Sequence, residues 1–414
     1  YDVFGGGSQG AVTGNVSVSL TANATVTQDV YGGGALANTN TGNPANTTTL
    51  SMTGGTVRDI YGGGLGQQAQ QNVEAVAADV NGPVTVTVSG GSARYVYGCN
   101  NLYGSPKSSV EVLINGTDAT QVDQEGIKTY ALQAVYGGGN LAHFDPTTPG
   151  NYPTVTVNGC NTSIKDVYGG GNAAAVPYTH VIINGGDIDR VFVGGNGESG
   201  TAANVGYRNN DSAPSSGSYG SGTANATITG GTINQLFGGG NSLGTVRSSG
   251  SLNINKSTDP EACDMLIGEV YGGGNRANGA ASSITIVSTG DVVAGENGHA
   301  AHPENIGKTL EGIGTVYGGA NAANVTGNIS LTINGGLMAN VFGGNNQSGA
   351  ISGTVDVNIE KTSADAKWYV DNVYGGGNLA VYAGNPTVFI KNGTVSGNVY
   401  GGGNGDPDDT DTPQ

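Results

Sequence analysis

Residues 180–196 read His-Val-Ile-Ile-Asn-Gly-Gly-Asp-Ile-Asp-Arg-Val-Phe-Val-Gly-Gly-Asn. The stretch opens on a β-branched run, which favours a strand. Asn-Gly-Gly follows, and such a pair turns the chain because glycine tolerates positive φ. A second short strand ends on an aromatic residue, a glycine run and Asn. No segment between these punctuation marks is long enough for a helix.

The same phrase, Val-Tyr-Gly-Gly-Gly-Asn with close variants, recurs along the whole chain. Its aromatic position falls at Phe4, Tyr31, Tyr61, Tyr97, Tyr136, Tyr168, Phe192, Phe237, Tyr271, Tyr317, Phe342, Tyr374 and Tyr400. Successive gaps run from 24 to 46 residues. A sharp minimum with a ragged upper edge describes one obligatory coil carrying loops of different size. Each coil also contains a period-two run, such as Val84-Thr-Val-Thr-Val88, Thr154-Val-Thr-Val-Asn158 or Ser330-Leu-Thr-Ile333. Such a coil cannot bury a core alone, whereas like positions stacked over like positions can. The expected fold is all-β, a right-handed parallel β-helix of about thirteen coils. At ~4.8 Å per coil it would be roughly 60 Å long. Alternate Val and Ile would face the lumen and Thr or Ser the solvent. The glycine run predicts a corner where backbones approach closely. The Asn after it, taken at Asn100, Asn140, Asn172, Asn196, Asn241, Asn275, Asn321, Asn345, Asn378 and Asn404, suits a stacked amide ladder or a left-handed backbone.

Residues 1–404 read as one β-helix domain, and 405–414 as an acidic linker rich in Asp, Pro and Thr. The chain opens inside the phrase, at Tyr1-Asp2-Val3-Phe4. It is therefore expected to be a fragment or processed product, exported by a segment outside it. Insertions leave the helix at two corners. One class follows the phrase, at 35–46, 65–82, 141–153 and 197–222; the other precedes it, at 117–133, 257–269, 290–313 and 360–371. Loops on a rigid scaffold are where binding concentrates.

Fourteen Lys and Arg against 31 Asp and Glu give a formal charge of -17. That balance opposes nucleic-acid binding, which needs clustered cations, and an anionic membrane surface. No apolar stretch reaches 18 residues, so no membrane insertion by a helix is expected. The three cysteines, Cys99, Cys160 and Cys263, are an odd number without ligand spacing. Cys99 and Cys160 each replace a glycine and read as small stacking residues.

Several side chains could carry chemistry. Asp187, Asp189 and Arg190 lie together in one coil and form a candidate binding group. Trp368, the only tryptophan, and Tyr369 could stack on a sugar ring or simply anchor their insertion. Asp29, Asp59 and Asp166 share a register two residues before the aromatic, which predicts an interrupted acidic column, with Asp371 nearby. Recurrence in several coils suits a repeat surface better than an active site. His299 and His302, with Glu296 and Glu304, make an incomplete metal set, and His143 with Asp145 a weaker one. Asp406, Asp408, Asp409 and Asp411 have oxygen chemistry suited to calcium but no EF-hand spacing. No catalytic residue, resident metal or cofactor is assigned.

The Val-Tyr-Gly-Gly-Gly-Asn phrase, with Val-Thr-Val-Thr and Ile-Asn-Gly-Gly between, resembles large bacterial cell-surface or secreted β-helix repeat proteins. These are adhesin-like and broadly similar to autotransporter passenger regions. The resemblance covers residues 1–404. It implies display outside the cell or on its surface and a larger parent protein. On that basis the expected function is a structural or adhesive scaffold presenting loops to host or microbial surface glycan or protein. Alternatives are a polysaccharide-active lyase or hydrolase, or a filament subunit that self-associates end to end. A groove lined by acids and aromatics would weaken the inert-stalk reading, a cleft with two or three converging acids plus an Arg or Lys would favour the enzyme, and diverging insertions without a groove would exclude it.

Overall fold

The computed structural model describes residues 1–148, 150–198, 200–207, 222–290, 312–361 and 368–405. The chain winds as a parallel β-helix with two long ladders and a short third side. The first ladder stacks twelve rungs in parallel, from Val16–Leu20 through Pro153–Val157 and Thr179–Ile183 to Thr387–Lys391. The second stacks the strands that end on the thirteen aromatics. Strands Thr48–Tyr61 and Val84–Tyr97 run through both ladders and join them. The third side is a file of single bridges, including Val12–Thr39–Val80–Pro106 and Val176–Val205–Val246.

Alternation decides what fills the lumen. In Pro153–Val157 every second residue is buried, and Val155 packs with Val112 and Val181 from neighbouring coils in one continuous core. Each such side chain contributes about 1.5–3 kcal/mol on burial, repeated coil after coil. In the second ladder the residue before the aromatic, such as Val135, Val167 or Val191, also belongs to that core. The aromatic itself therefore faces out. Its ring belongs to a second, separate cluster. The rings form one unbroken column of thirteen, with centroids 4.5–5.2 Å apart and planes within 4–16° of parallel. Strand spacing imposes this separation, since each ring rides on its own rung.

The glycine run is a close-approach corner, as its repetition implies. A Cβ at Gly62 would sit 2.4 Å from the Gly98 carbonyl oxygen and 2.7 Å from the side chains of Val84 and Val86 in the next coil. Gly98 and Gly137 meet the next coil in the same way. One coil breaks the rule, carrying Val193 at this position, fully buried in the lumen. The compensation lies one coil on. There the inward residues equivalent to Val84 and Val86 are Ala224 and Ala226, whose short side chains leave room for it.

Two expectations need correction. Cys160 is no stacking residue: it forms a disulfide with Cys263, 103 residues away in sequence. Stacking explains how. Cys160 lies in the turn after one first-ladder rung, and Gly185 and Gly230 hold the corresponding turns of the next two coils. Segment 257–264 crosses both, so that a Cβ on Gly185 would lie 2.6 Å from the Cys263 sulfur. Constraining a loop of this length restricts the unfolded chain by on the order of 4 kcal/mol in the entropic account. Second, no ladder Asn adopts positive φ among the described residues. The ladder alone explains the column.

The Val193–Ala226 pairing is testable. Ala226→Val is expected to overpack the lumen and lower stability by about 1–3 kcal/mol. In the Val193→Gly background the same change should cost at least ~1 kcal/mol less, because the two positions share one space. Urea unfolding followed by circular dichroism measures both. Equal costs in the two backgrounds would refute the pairing.

Candidate binding face

The outward side of the second ladder carries most of the distinctive chemistry. Each rung places two consecutive residues outside between two inward ones; in Asp187–Phe192, Asp189 and Arg190 lie between buried Ile188 and Val191. The sequence suggested an acidic column here. The structure turns it into ion pairs between coils. Arg58 grips Asp29 through two bonds of 2.7 and 2.8 Å. Arg94 grips Asp59 at 2.9 and 2.5 Å, and Arg190 grips Asp166 at 2.7 and 2.8 Å. The three carboxylates are 1–8% exposed, so they hold coils together and are not displayed. Burial raises the Asp166 carboxyl, against the downward pull of Arg190.

Beside the rings runs a file of amides. Asn140 Nδ2 donates to Asn101 Oδ1 at 2.9 Å, Asn172 to Asn140 at 2.9 Å and Asn196 to Asn172 at 2.8 Å. The relay continues through Asn241, Asn275, Asn321, Asn346 and Asn378 to Asn404. Two members differ from the sequence reading. Asn101 and Asn346 join the file; Asn100 and Asn345 occupy the third glycine position and bind loop carbonyls such as Ala78 O and Ala323 O. The amides also reach the phenols, as in Asn101 to the Tyr31 hydroxyl at 2.8 Å and Asn346 to that of Tyr271 at 3.1 Å.

Insertions converge at two places. The first is a cleft of about 570 Å3 between insertion 65–82 and the segments Leu102–Lys107 and Leu141–Asp145 of the next two coils. The second, about 370 Å3, lies under the insertion that carries the small hairpin Gln121–Val122/Lys128–Thr129. That insertion reaches across two coils. Thr120 Oγ1 meets Ser163 Oγ at 2.7 Å and Asp187 Oδ2 at 2.9 Å, while Lys128 Nζ donates to Asp187 at 2.7 Å. Lys128 also sits 5.8 Å above the Tyr130 ring. Burial, with Asp189 and Asp187 behind it, pushes the Tyr130 phenol up to about 12.

The sequence candidates divide accordingly. Asp187 and Asp189 line the second cleft, where Asp189 accepts from Asn234 at 3.1 Å. Arg190 turns to Asp166 and lines a smaller polar recess of about 240 Å3 with Tyr95, Glu198 and Asn172. Trp368 lies five coils further on, about 24 Å at β spacing. It is 1% exposed and part of the lumen core, packed so closely under Gly393 that a Cβ there would overlap its ring. It is a core residue and offers no face to a sugar. Tyr369 is half-buried, in register with Leu337 and Thr394. Sequence reasoning missed Tyr103 and Lys107, which lie between two insertions it singled out, and did not pick Gln68 and Leu141 from within those insertions. His299, His302, Glu296, Glu304 and the calcium candidates Asp406, Asp408, Asp409 and Asp411 lie outside the described residues. Among the described residues no three His, Cys, Asp or Glu side chains converge as metal ligands, and no helix is long and apolar enough to cross a membrane.

Compared with protein families, curated proteins and solved structures, the chain matches none.

Burial raises the phenols of Tyr31, Tyr61, Tyr97, Tyr136, Tyr168 and Tyr271 above the usual tyrosine range. A raised folded-state value means that the neutral form is favoured in the fold. Its contribution is complete below the ordinary value near 10 and is lost as pH rises beyond it. Tyrosinate absorbance from these six rings is therefore expected only at pH above the ordinary tyrosine range, together with loss of the β circular-dichroism signal. A single smooth titration with the fold intact would contradict a sealed column.

Proposed function

We propose that this chain is an extracellular, adhesin-like β-helical scaffold that presents a binding face to surface glycan or protein, without catalysis of its own. The observation that carries this reading is the convergence of insertions. Three of them, starting in different coils, build two recesses on a frame that needs neither. An inert stalk gains nothing from a loop that crosses two coils to bind Thr120 and Lys128 to Asp187. Recesses of this size lie in the range that holds small ligands.

Two further points support it. The Cys160–Cys263 disulfide suits an oxidising compartment such as the cell exterior. Asp29, Asp59 and Asp166, the carboxylates that recur in the coils, are committed to Arg partners, which takes them out of use as a hydrolase pair. The resemblance of the repeat phrase to bacterial surface proteins points the same way.

The oxidised chain, immobilised and screened against surface glycans, mucins and matrix proteins, is expected to give saturable binding to at least one of them. Deleting 119–130 or adding competing ligand should reduce it for occupants of the second cleft. Absence of binding across the panel, with the fold intact, would overturn the proposal. Peptide mapping without reductant should recover Cys160 and Cys263 as one linked species from secreted material. Recovery of both as free thiols would remove the compartment argument.

A further inference from the structure

We infer that the cleft between insertion 65–82 and segment Leu141–Asp145 is a site for a neutral sugar unit of a glycan chain. This rests on the binding-scaffold reading above and names its ligand class and place.

The cleft has a wall for a sugar's C–H face. Tyr103 and Leu141 are 44% and 36% exposed and both line it, beside Leu102, Ala69 and Ala75. Large apolar side chains left open to water in a shared concavity mark a contact surface, and an aromatic ring with a polar rim suits a ligand with one apolar and one hydroxylated face.

Its floor is polar and already fixed. Asp79 Oδ1 accepts the Ser105 N–H at 2.8 Å and lies 3.4 Å from Lys107 Nζ. Asp145 donates its own N–H to Ser105 Oγ at 2.8 Å, and its carboxylate stands 3.8 Å from the same ammonium. Ser105 is 2% exposed. Thr147 ties the far end of the insertion to the Lys107 carbonyl through bonds of 3.1 Å from its N–H and 3.0 Å from Oγ1. Segments from three coils are thereby locked in one geometry before any ligand arrives, which lowers the cost of binding. His143 lines the cleft, where its Nδ1 accepts the Ala175 N–H at 3.0 Å.

Charge selects among glycans. Two carboxylates, Asp79 and Asp145, face one ammonium, Lys107, leaving one surplus negative charge on a chain whose formal charge is already -17. Uronic, sulfated and sialylated sugars would be repelled. Neutral hydroxyls can donate to the carboxylates and accept from Lys107.

Titration calorimetry with soluble gluco-, manno-, galacto- and N-acetylglucosamine oligosaccharides tests this directly. At least one neutral oligomer is expected to bind, while acidic oligomers of equal length should bind at least tenfold more weakly. Tyr103→Ala should weaken the neutral ligand about tenfold or more, with Leu141→Ala acting in the same direction. Val381→Ala, exposed and outside both clefts, should leave it unchanged. Both cleft residues are well exposed, so circular dichroism should confirm that the variants fold. Preference for acidic glycans, or neutral binding indifferent to both cleft variants, would overturn the assignment. Binding to proteins alone on the wider panel would do so too, while leaving the scaffold reading intact.

Discussion

Everything in this molecule depends on the parallel spacing of one backbone above the next. Neighbouring strands stand ~4.8 Å apart, and the first glycine of each phrase meets its successor where a Cβ would lie 2.4 Å or less from a carbonyl oxygen in most coils. That approach brings like residues into vertical register. The rings then stack, the amides hydrogen-bond and the valines fill the lumen. Val193 is instructive because it departs from the rule only where the next coil supplies Ala224 and Ala226. The lumen conserves volume between coils, so each coil constrains its neighbour more than itself.

What the sequence made legible follows from this. Period-two runs such as Val84-Thr-Val-Thr-Val88 have one reading when buried on one face, and the glycine phrase could be counted. The sides on which insertions 65–82, 117–133 and 141–153 leave were also visible. Contacts across coils were less so, since they join residues separated by whole repeats of unequal length. Cys160 and Cys263 looked unrelated because three coils and their loops intervene. The Arg–Asp pairs were hidden for another reason. Arg58 and Arg94 lie three positions before their aromatic but Arg190 lies two before, so no fixed motif marks them. Trp368 was ambiguous because solitary aromatics serve binding and packing equally well; only its position in the lumen decides.

The same division separates scaffold from specificity. Residues that repeat are those the stacking requires, and they are largely sealed. Residues that line the clefts, including Tyr103, Lys107, Tyr130 and Asp189, occur once. Irregular period lengths are therefore where a repeat protein of this kind acquires individuality. The frame tolerates them because loop length costs stability only slowly.

The asparagine file has a consequence of another kind. Every bond in it runs the same way, with Nδ2 of one coil donating to Oδ1 of the coil before. Ten amide dipoles, joined by nine bonds, add head to tail, as peptide dipoles do in a helix, and each polarises the next. The β-helix thus carries an electrical polarity along its axis that β-sheets ordinarily lack. Its positive sense points toward the N-terminal coils and its negative sense toward Asn404. Reversing one amide would set like poles against each other on both sides, so the column is a one-way device, and coils added in register would inherit its direction.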